Sequence, residues 1–184
     1  MKYFFLAAFL MFCAIVFWGV QTFKDRFFTD PARVEALARG IMDYRMPGPS
    51  QGAMGMDIAI DKMAMVQCAK PPVLLMLASF TYPEPPKEGE MEEKAEEFRR
   101  TNLRSEKIVV EKMTTETAVL CGQPINRIVK EGWVPQSDGQ KMPVTSLQAS
   151  VKNKNGYLLA VIVARGEDRQ ANAASVFESL TCKN

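Results

Sequence analysis

The sequence predicts an α+β fold: an antiparallel sheet of about six to seven strands flanked by helices, set behind one transmembrane helix. Three observations predict it. The chain opens on an uncharged run of eighteen residues, "YFFLAAFLMFCAIVFWGV" (Tyr3 to Val20). Residues 106–166 are a series of short Val-, Ile- and Thr-rich segments separated by turn residues. Amphipathic helical patterns stand at 29–44, 89–105 and 167–184, apart from those strands. Strands in a run with segregated helices are the α+β pattern.

The first run is a membrane span. At about 1.5 Å rise per residue it nearly crosses the ~30 Å hydrocarbon core. A cleaved secretory signal would also begin with a short basic stretch such as Met1-Lys2 and an apolar core. This run is longer than such a core, and "VFWGVQTFKDRFF" sets Phe17, Trp18 and Phe23 where signal peptidase needs small residues. An uncleaved, single-pass signal-anchor is therefore expected. Met11 and Phe12 ahead of Cys13 are too bulky for a lipobox, so Cys13 reads as a lipid-facing thiol. Phe17, Trp18, Phe23, Phe27 and Phe28 read as an aromatic belt at the far interface.

Orientation rests on two opposed signals. Lys24, Arg26, Arg33 and Arg39 lie beyond the span, and a positive-inside count would leave the C-terminal domain in the cytoplasm. A two-residue flank carrying Lys2 is instead the usual start of an anchor that exports the chain beyond it. Export is the preferred reading, with the C-terminal domain extracytoplasmic (periplasmic). Residues 1–28 then form the anchor and interfacial segment, and residues 29–184 a single domain long enough to bury a core without staples. A net charge of +2 and a pI near 8.3 give no field that would favour nucleic acid.

Within the domain, "TDPARVEALARGIMDY" offers Thr29 and Asp30 as N-caps, Pro31 at the first helical position, and Val34, Leu37, Ala38 and Ile41 at helical spacing. "PGPSQGAMG" reads as a loop from its Pro and Gly content. Two apolar runs around Lys70-Pro71-Pro72 predict a hairpin of strands near Met63–Ala69 and Val73–Thr81. "PEPPKEGE" breaks the chain. "GEMEEKAEEFRRTNLRS" then predicts a helix with Met91, Ala95, Phe98 and Leu103 on one face, acids leading and arginines trailing as the helix dipole prefers.

After that helix, "EKIVVEKMTT", "ETAVLCG", "QPINRIVKEGWV", "VTSLQASVKN" and "GYLLAVIVARG" predict a meander, with turns at Gly122, Pro124, Gly139 and Asn155-Gly156. "EDRQANAASVFESLTCKN" closes the chain as a helix with Ala173, Val176, Phe177 and Leu180 inward.

This order of elements, with "IMDYRMPGP" at the first strand and the terminal helix "ANAASVFESLTC", resembles the PsbP-like fold of photosystem accessory proteins and the bacterial DcrB lipoproteins over residues 40–182. The resemblance implies a small antiparallel sheet between helices. It also implies a non-enzymatic domain, anchored by a lipid or a helix, that docks onto or stabilises larger complexes.

The residues themselves oppose catalysis. The chain has no histidine, which removes the commonest general base and metal ligand together. Hydrolase, P-loop and dinucleotide signatures are absent. A carboxylate pair such as Asp57 with Asp61 is most simply two solvated acids. No cofactor and no catalytic residue is expected, and the expected partners are the bilayer, through residues 3–20, and a membrane protein complex.

Two sets of sulfurs remain. "GAMGMDIAIDKMAMVQC" places Met54, Met56, Met63 and Met65 in two M-x-M pairs ahead of Cys68. Thioethers select Cu(I), and M-x-M puts two sulfurs on one face of a strand, so an extracytoplasmic soft-metal site of Met54, Met56, Met63, Met65 and Cys68 is the alternative function. Core packing by adaptable methionines is preferred. Beyond the anchor, Cys68, Cys121 and Cys182 are an odd count without C-x-x-C spacing, consistent with three buried thiols. In an up-and-down meander, however, the strand ending at Cys121 finishes at the opposite end of the sheet from Arg165, where the last strand ends. A terminal helix of about twelve residues, running back roughly 18 Å, would bring Cys182 to Cys121. An exported domain would then carry a Cys121–Cys182 disulfide and a free Cys68.

Overall fold

The computed structural model describes residues 26–58, 61–81, 108–136, 138–154 and 156–183. The predicted span at 3–20 and the predicted helix at 89–105 lie outside them. Among the described residues no helix is long and apolar enough to cross a membrane.

The fold is α+β, built on an eight-stranded antiparallel sheet and two helices. In chain order these are β1 (Phe27–Phe28), α1 (Pro31–Ile41), β2 (Met42–Asp43), β3 (Ser50–Ile58), β4 (Asp61–Cys68), β5 (Val73–Thr81), β6 (Val109–Leu120), β7 (Gln123–Pro135), β8 (Lys141–Asn153), β9 (Gly156–Arg165), α2 (Arg169–Glu178) and β10 (Thr181–Cys182). The strand order is β1-β3-β4-β5-β9-β8-β7-β6, with β2 and β10 forming a separate two-stranded ribbon. Two meanders, β3-β4-β5 and β6-β7-β8-β9, thus join where β5 pairs with β9, leaving β6 at one outer edge.

Helix α1 starts where the sequence says it should. The Asp30 carboxylate accepts the Arg33 N–H at 2.8 Å, capping one of the four orphan donors, and Pro31 puts its missing N–H where none is needed. Val34, Ala38 and Ile41, on one stripe, are buried against the sheet. The close approach demands Gly52 on β3, where a Cβ would stand 2.5 Å from both the Pro31 carbonyl oxygen and the Val34 Cβ.

Three expectations are corrected. The stretch read as a Pro- and Gly-rich loop contains β3, so Met54 and Met56 are strand residues whose register pairs them with Met65 and Met63. Phe27 and Phe28, read as interfacial aromatics, pair with Met56 and Gly55 as β1. "EKIVVEKMTT" and "ETAVLCG" are one strand, β6, and the sheet has eight strands in place of six to seven.

Both described helices lie on one face of the sheet. Their core combines Val34, Ala38 and Ile41 with Ala173, Val176 and Phe177 over Ala64, Val66, Leu75, Leu77, Ala160 and Ile162. The opposite face carries a second cluster of Met63, Met65, Met76, Ala78, Leu159 and Val161, with Met54, Met56, Leu74, Phe80 and Val163 packed against it.

Candidate functional site

The four methionines of the M-x-M pairs converge. Register places Met54 opposite Met65 and Met56 opposite Met63, and Met65 is in turn opposite Met76 on β5. Alternation of side chains along a strand puts all five on the face away from α1 and α2. Cys68, an odd number of residues from Met63 and Met65, points to the other face. There it is buried in the helix-side core and its thiol donates to the Lys70 carbonyl oxygen at 3.4 Å. Cys68 therefore leaves the candidate ligand set, because one strand cannot present it with the methionines. Met63 and Met65 are buried, whereas Met54 and Met56 are only partly so. Among the described residues there is no group of three or more His, Cys, Asp or Glu able to hold a metal ion.

Cys121 and Cys182 are joined in a disulfide with Cα atoms 5.2 Å apart, spanning a sequence separation of 61. Helix α2 runs back from the end of β9, and β10 pairs Cys182 with Met42. The bridge thereby fastens the end of the chain to the β6–β7 turn. That turn is the two residues Cys121 and Gly122, both in the left-handed region with φ of 56° and 73°, the type I′ geometry whose twist suits a hairpin.

A cleft of about 760 Å³ opens beyond the C-terminal ends of both helices, lined by Arg39, Tyr44, Arg45, Glu178 and Ser179 among others. The Arg45 N–H donates to the Ser179 Oγ at 2.8 Å, and the Ser179 hydroxyl donates to the Val176 carbonyl oxygen at 2.7 Å. Arg39 lies 4.9 Å from the centre of the Tyr44 ring. The arginines thus stand where helix ends concentrate negative partial charge, which is where cations are stabilised.

The Tyr44 hydroxyl is buried without a hydrogen-bond partner. Its pKa is pushed up to about 12 by burial and by the Glu35 carboxylate, with Arg39 opposing. A raised folded-state pKa means that the stabilisation is complete below the ordinary tyrosine value of about 10 and is lost as pH climbs towards 12. Tyr44→Phe should therefore be nearly neutral at pH 7, since no hydrogen bond is lost, and should flatten the fall in stability between about pH 10 and 12. Thermal melts of both proteins across that range check this; parallel curves would contradict it.

Strand β6 is the remaining feature, and sequence reasoning did not single it out. Among the described residues, the large hydrophobic side chains that stand exposed are Val109, Val110, Met113 and Val119, at 39%, 47%, 63% and 66%. All four are on this one strand. Its inner edge pairs with β7, and among the described residues nothing pairs with its outer edge. Across the inner edge Arg127 of β7 donates to Glu116 at 2.6 Å and stacks 4.8 Å from the Phe177 ring centre, tying β6 to α2. The signal that could have revealed this edge is the lack of alternation in "VVEKMTTETAVL", where neither face is wholly apolar.

No family model matches the chain, and no curated protein matches its sequence. Among solved structures it is similar to that of LpqN, involved in cell envelope biogenesis of Mycobacterium tuberculosis, at 13% identity and a TM-score of 0.39 over 78% of this chain and 83% of that one.

Proposed function

We propose that this chain is a membrane-anchored, non-enzymatic accessory or scaffolding protein. Residues 3–20 hold it in the bilayer, and the α+β domain, of PsbP-like type and on the extracytoplasmic side, binds a membrane protein complex. The observation that carries the binding role is β6: twelve residues of outer-edge strand on which the exposed large apolar side chains among the described residues gather. An unpaired edge is a template for another strand, and main-chain pairing with apolar side chains alongside is a common mode of recognition. The Cys121–Cys182 bridge supports the export, because disulfides persist in oxidising compartments. A chain without histidine supports a role outside catalysis.

Thr115→Pro tests the reading. The two-residue turn makes Leu120 and Gln123 a hydrogen-bonded pair, and pairs alternate from there. The N–H of Thr115 therefore points away from β7, and proline at such an edge position is tolerated. The full chain purified in mild detergent should bring down its partner complex, and the variant should fold but release it. Equal recovery with both proteins, or a wild-type chain that elutes alone in every growth condition, would overturn the proposal.

One observation favours the second reading, an extracytoplasmic Cu(I) site: the in-register pairing of Met54 with Met65 and of Met56 with Met63. Converging thioethers are soft ligands. Stoichiometric, tight Cu(I) binding that is lost when these four are changed to Leu would support it. Binding no tighter than that of a generic thiol would end it.

A further inference from the structure

We propose that the strand seated on β6 is β6 of a second copy of this chain, paired antiparallel about a two-fold axis through Thr114. This rests on the reading of β6 as the docking edge and names what sits on it: two copies joined through β6 form the unit that the complex holds, so Thr115→Pro, by separating the copies, releases the complex.

Register selects the pairing. From the hydrogen-bonded Leu120–Gln123 pair, the even-numbered residues Ala118, Glu116, Thr114 and Lys112 exchange their bonds with β7. The N–H and C=O groups of Met113, Thr115, Thr117 and Val119 are therefore the ones directed outward. A second β6 must match outward residues to outward residues, so the axis passes through a residue and never between two. Placed on Lys112 or Glu116, it would set like charges directly against each other, which is destabilising. Placed on Met113, it would set Lys112 against Thr114 and Glu116 against Val110; placed on Thr115, it would set them against Ala118 and Thr114. Only Thr114 sets Lys112 of each copy against Glu116 of the other, twice over. It also sets Met113 against Thr115 of the second copy, and brings Val119 of each copy to the Val109–Val110 end of the other.

Several details agree with this register. Lys112 and Glu116 would meet as a pair without mutual backbone bonds, the kind in which side chains approach most closely. Glu116, held by Arg127 on its inner side, is oriented before the second lysine arrives. The regular ladder of β6 runs from Lys112 to Leu120, with its irregularity between Val110 and Lys112, so the central pairs of the proposed interface lie in undistorted strand.

Cysteine cross-linking and charge exchange test the proposal in the full chain in mild detergent. In this register two Thr114 Cα atoms would lie about 4.5 Å apart, within the span of a disulfide. Thr114→Cys should give a reducible covalent dimer on mild oxidation. Thr117→Cys, about 20 Å from its mate at ~3.3 Å per residue, should give none. Lys112→Glu and Glu116→Lys should each weaken self-association by roughly tenfold, and mixing the two variants should restore it as a heterodimer.

Absence of the Thr114→Cys dimer, equal cross-linking at both positions, or failure of the mixture to recover would each overturn the self-pairing. If that happens while Thr115→Pro still releases a different co-purifying protein, the docking edge stands and only its occupant is wrong. If Thr115→Pro also changes nothing, the docking edge falls as well.

Discussion

Removing the Cys121–Cys182 bridge should lower the unfolding free energy by about 4 kcal/mol, the chain-entropy value for a loop of this size. The closed loop, with its sequence separation of 61, takes in β7, β8, β9 and α2. Without the bridge, β10 keeps only a two-residue pairing with β2, Thr181 to Asp43 and Cys182 to Met42, and a surface ion pair of Lys183 with Asp43 at 3.7 Å. Exposed pairs of that kind contribute at most about 1 kcal/mol. Helix α2 would still bury Ala173, Val176 and Phe177, so loss of stability is expected in place of loss of fold. Against a typical total of about 5–15 kcal/mol, that is a large share.

The measurement is denaturant unfolding of the domain with and without reductant, alongside a Cys121→Ser, Cys182→Ser variant. Cys68, buried and unpaired, stays reduced in both. Coincident midpoints would refute the prediction. Peptide mapping that finds Cys121 and Cys182 free in protein isolated without reductant would go further and argue for a cytoplasmic domain.

The elements most legible in the sequence were those whose local chemistry and burial agree. Asp30 and Pro31 marked the start of α1, and the apolar runs of β5 and β9 marked the two strands at the centre of the sheet. The disulfide was legible as topology, because a meander followed by a returning helix brings the two cysteines to one end, although the helix stops at Glu178 and Cys182 itself lies on β10. Strand β3 was hidden because Gly52 and Gly55 look like breakers. Each is there for a neighbour: Pro31 and Val34 of α1 sit over Gly52, and the Phe28 ring sits over Gly55.

Strand β6 was hidden for a different reason. An edge strand that buries little beyond its last residue, Leu120, shows no period, and which strand ends at an edge depends on sheet order, set by the distant pairing of β5 with β9. The separation of Cys68 from the methionines, by contrast, was present in the spacing. Met63 and Met65 share a parity that Cys68 lacks, and a period of two places them on opposite faces.

Met63→Ala should cost about 2 to 5 kcal/mol, whereas Met63→Leu should cost less than about 1.5 kcal/mol. Met63 is 2% exposed and Met76 1%, and both belong to the cluster on the face opposite the helices. Truncation to Ala there removes transfer free energy and leaves a cavity, while Leu nearly conserves volume and apolarity. Met76→Ala should behave the same way. Met54→Ala and Met56→Ala should cost less, because those side chains are only partly buried, although both are sheet residues packed on the cluster. Urea unfolding of the single variants orders the set. Small and equal costs for Ala and Leu at Met63 would mean that this face is not a packed core, and would turn attention to the sulfurs as ligands. A Leu variant as damaged as the Ala variant would instead locate a contact that depends on sulfur itself, which volume and apolarity alone cannot supply.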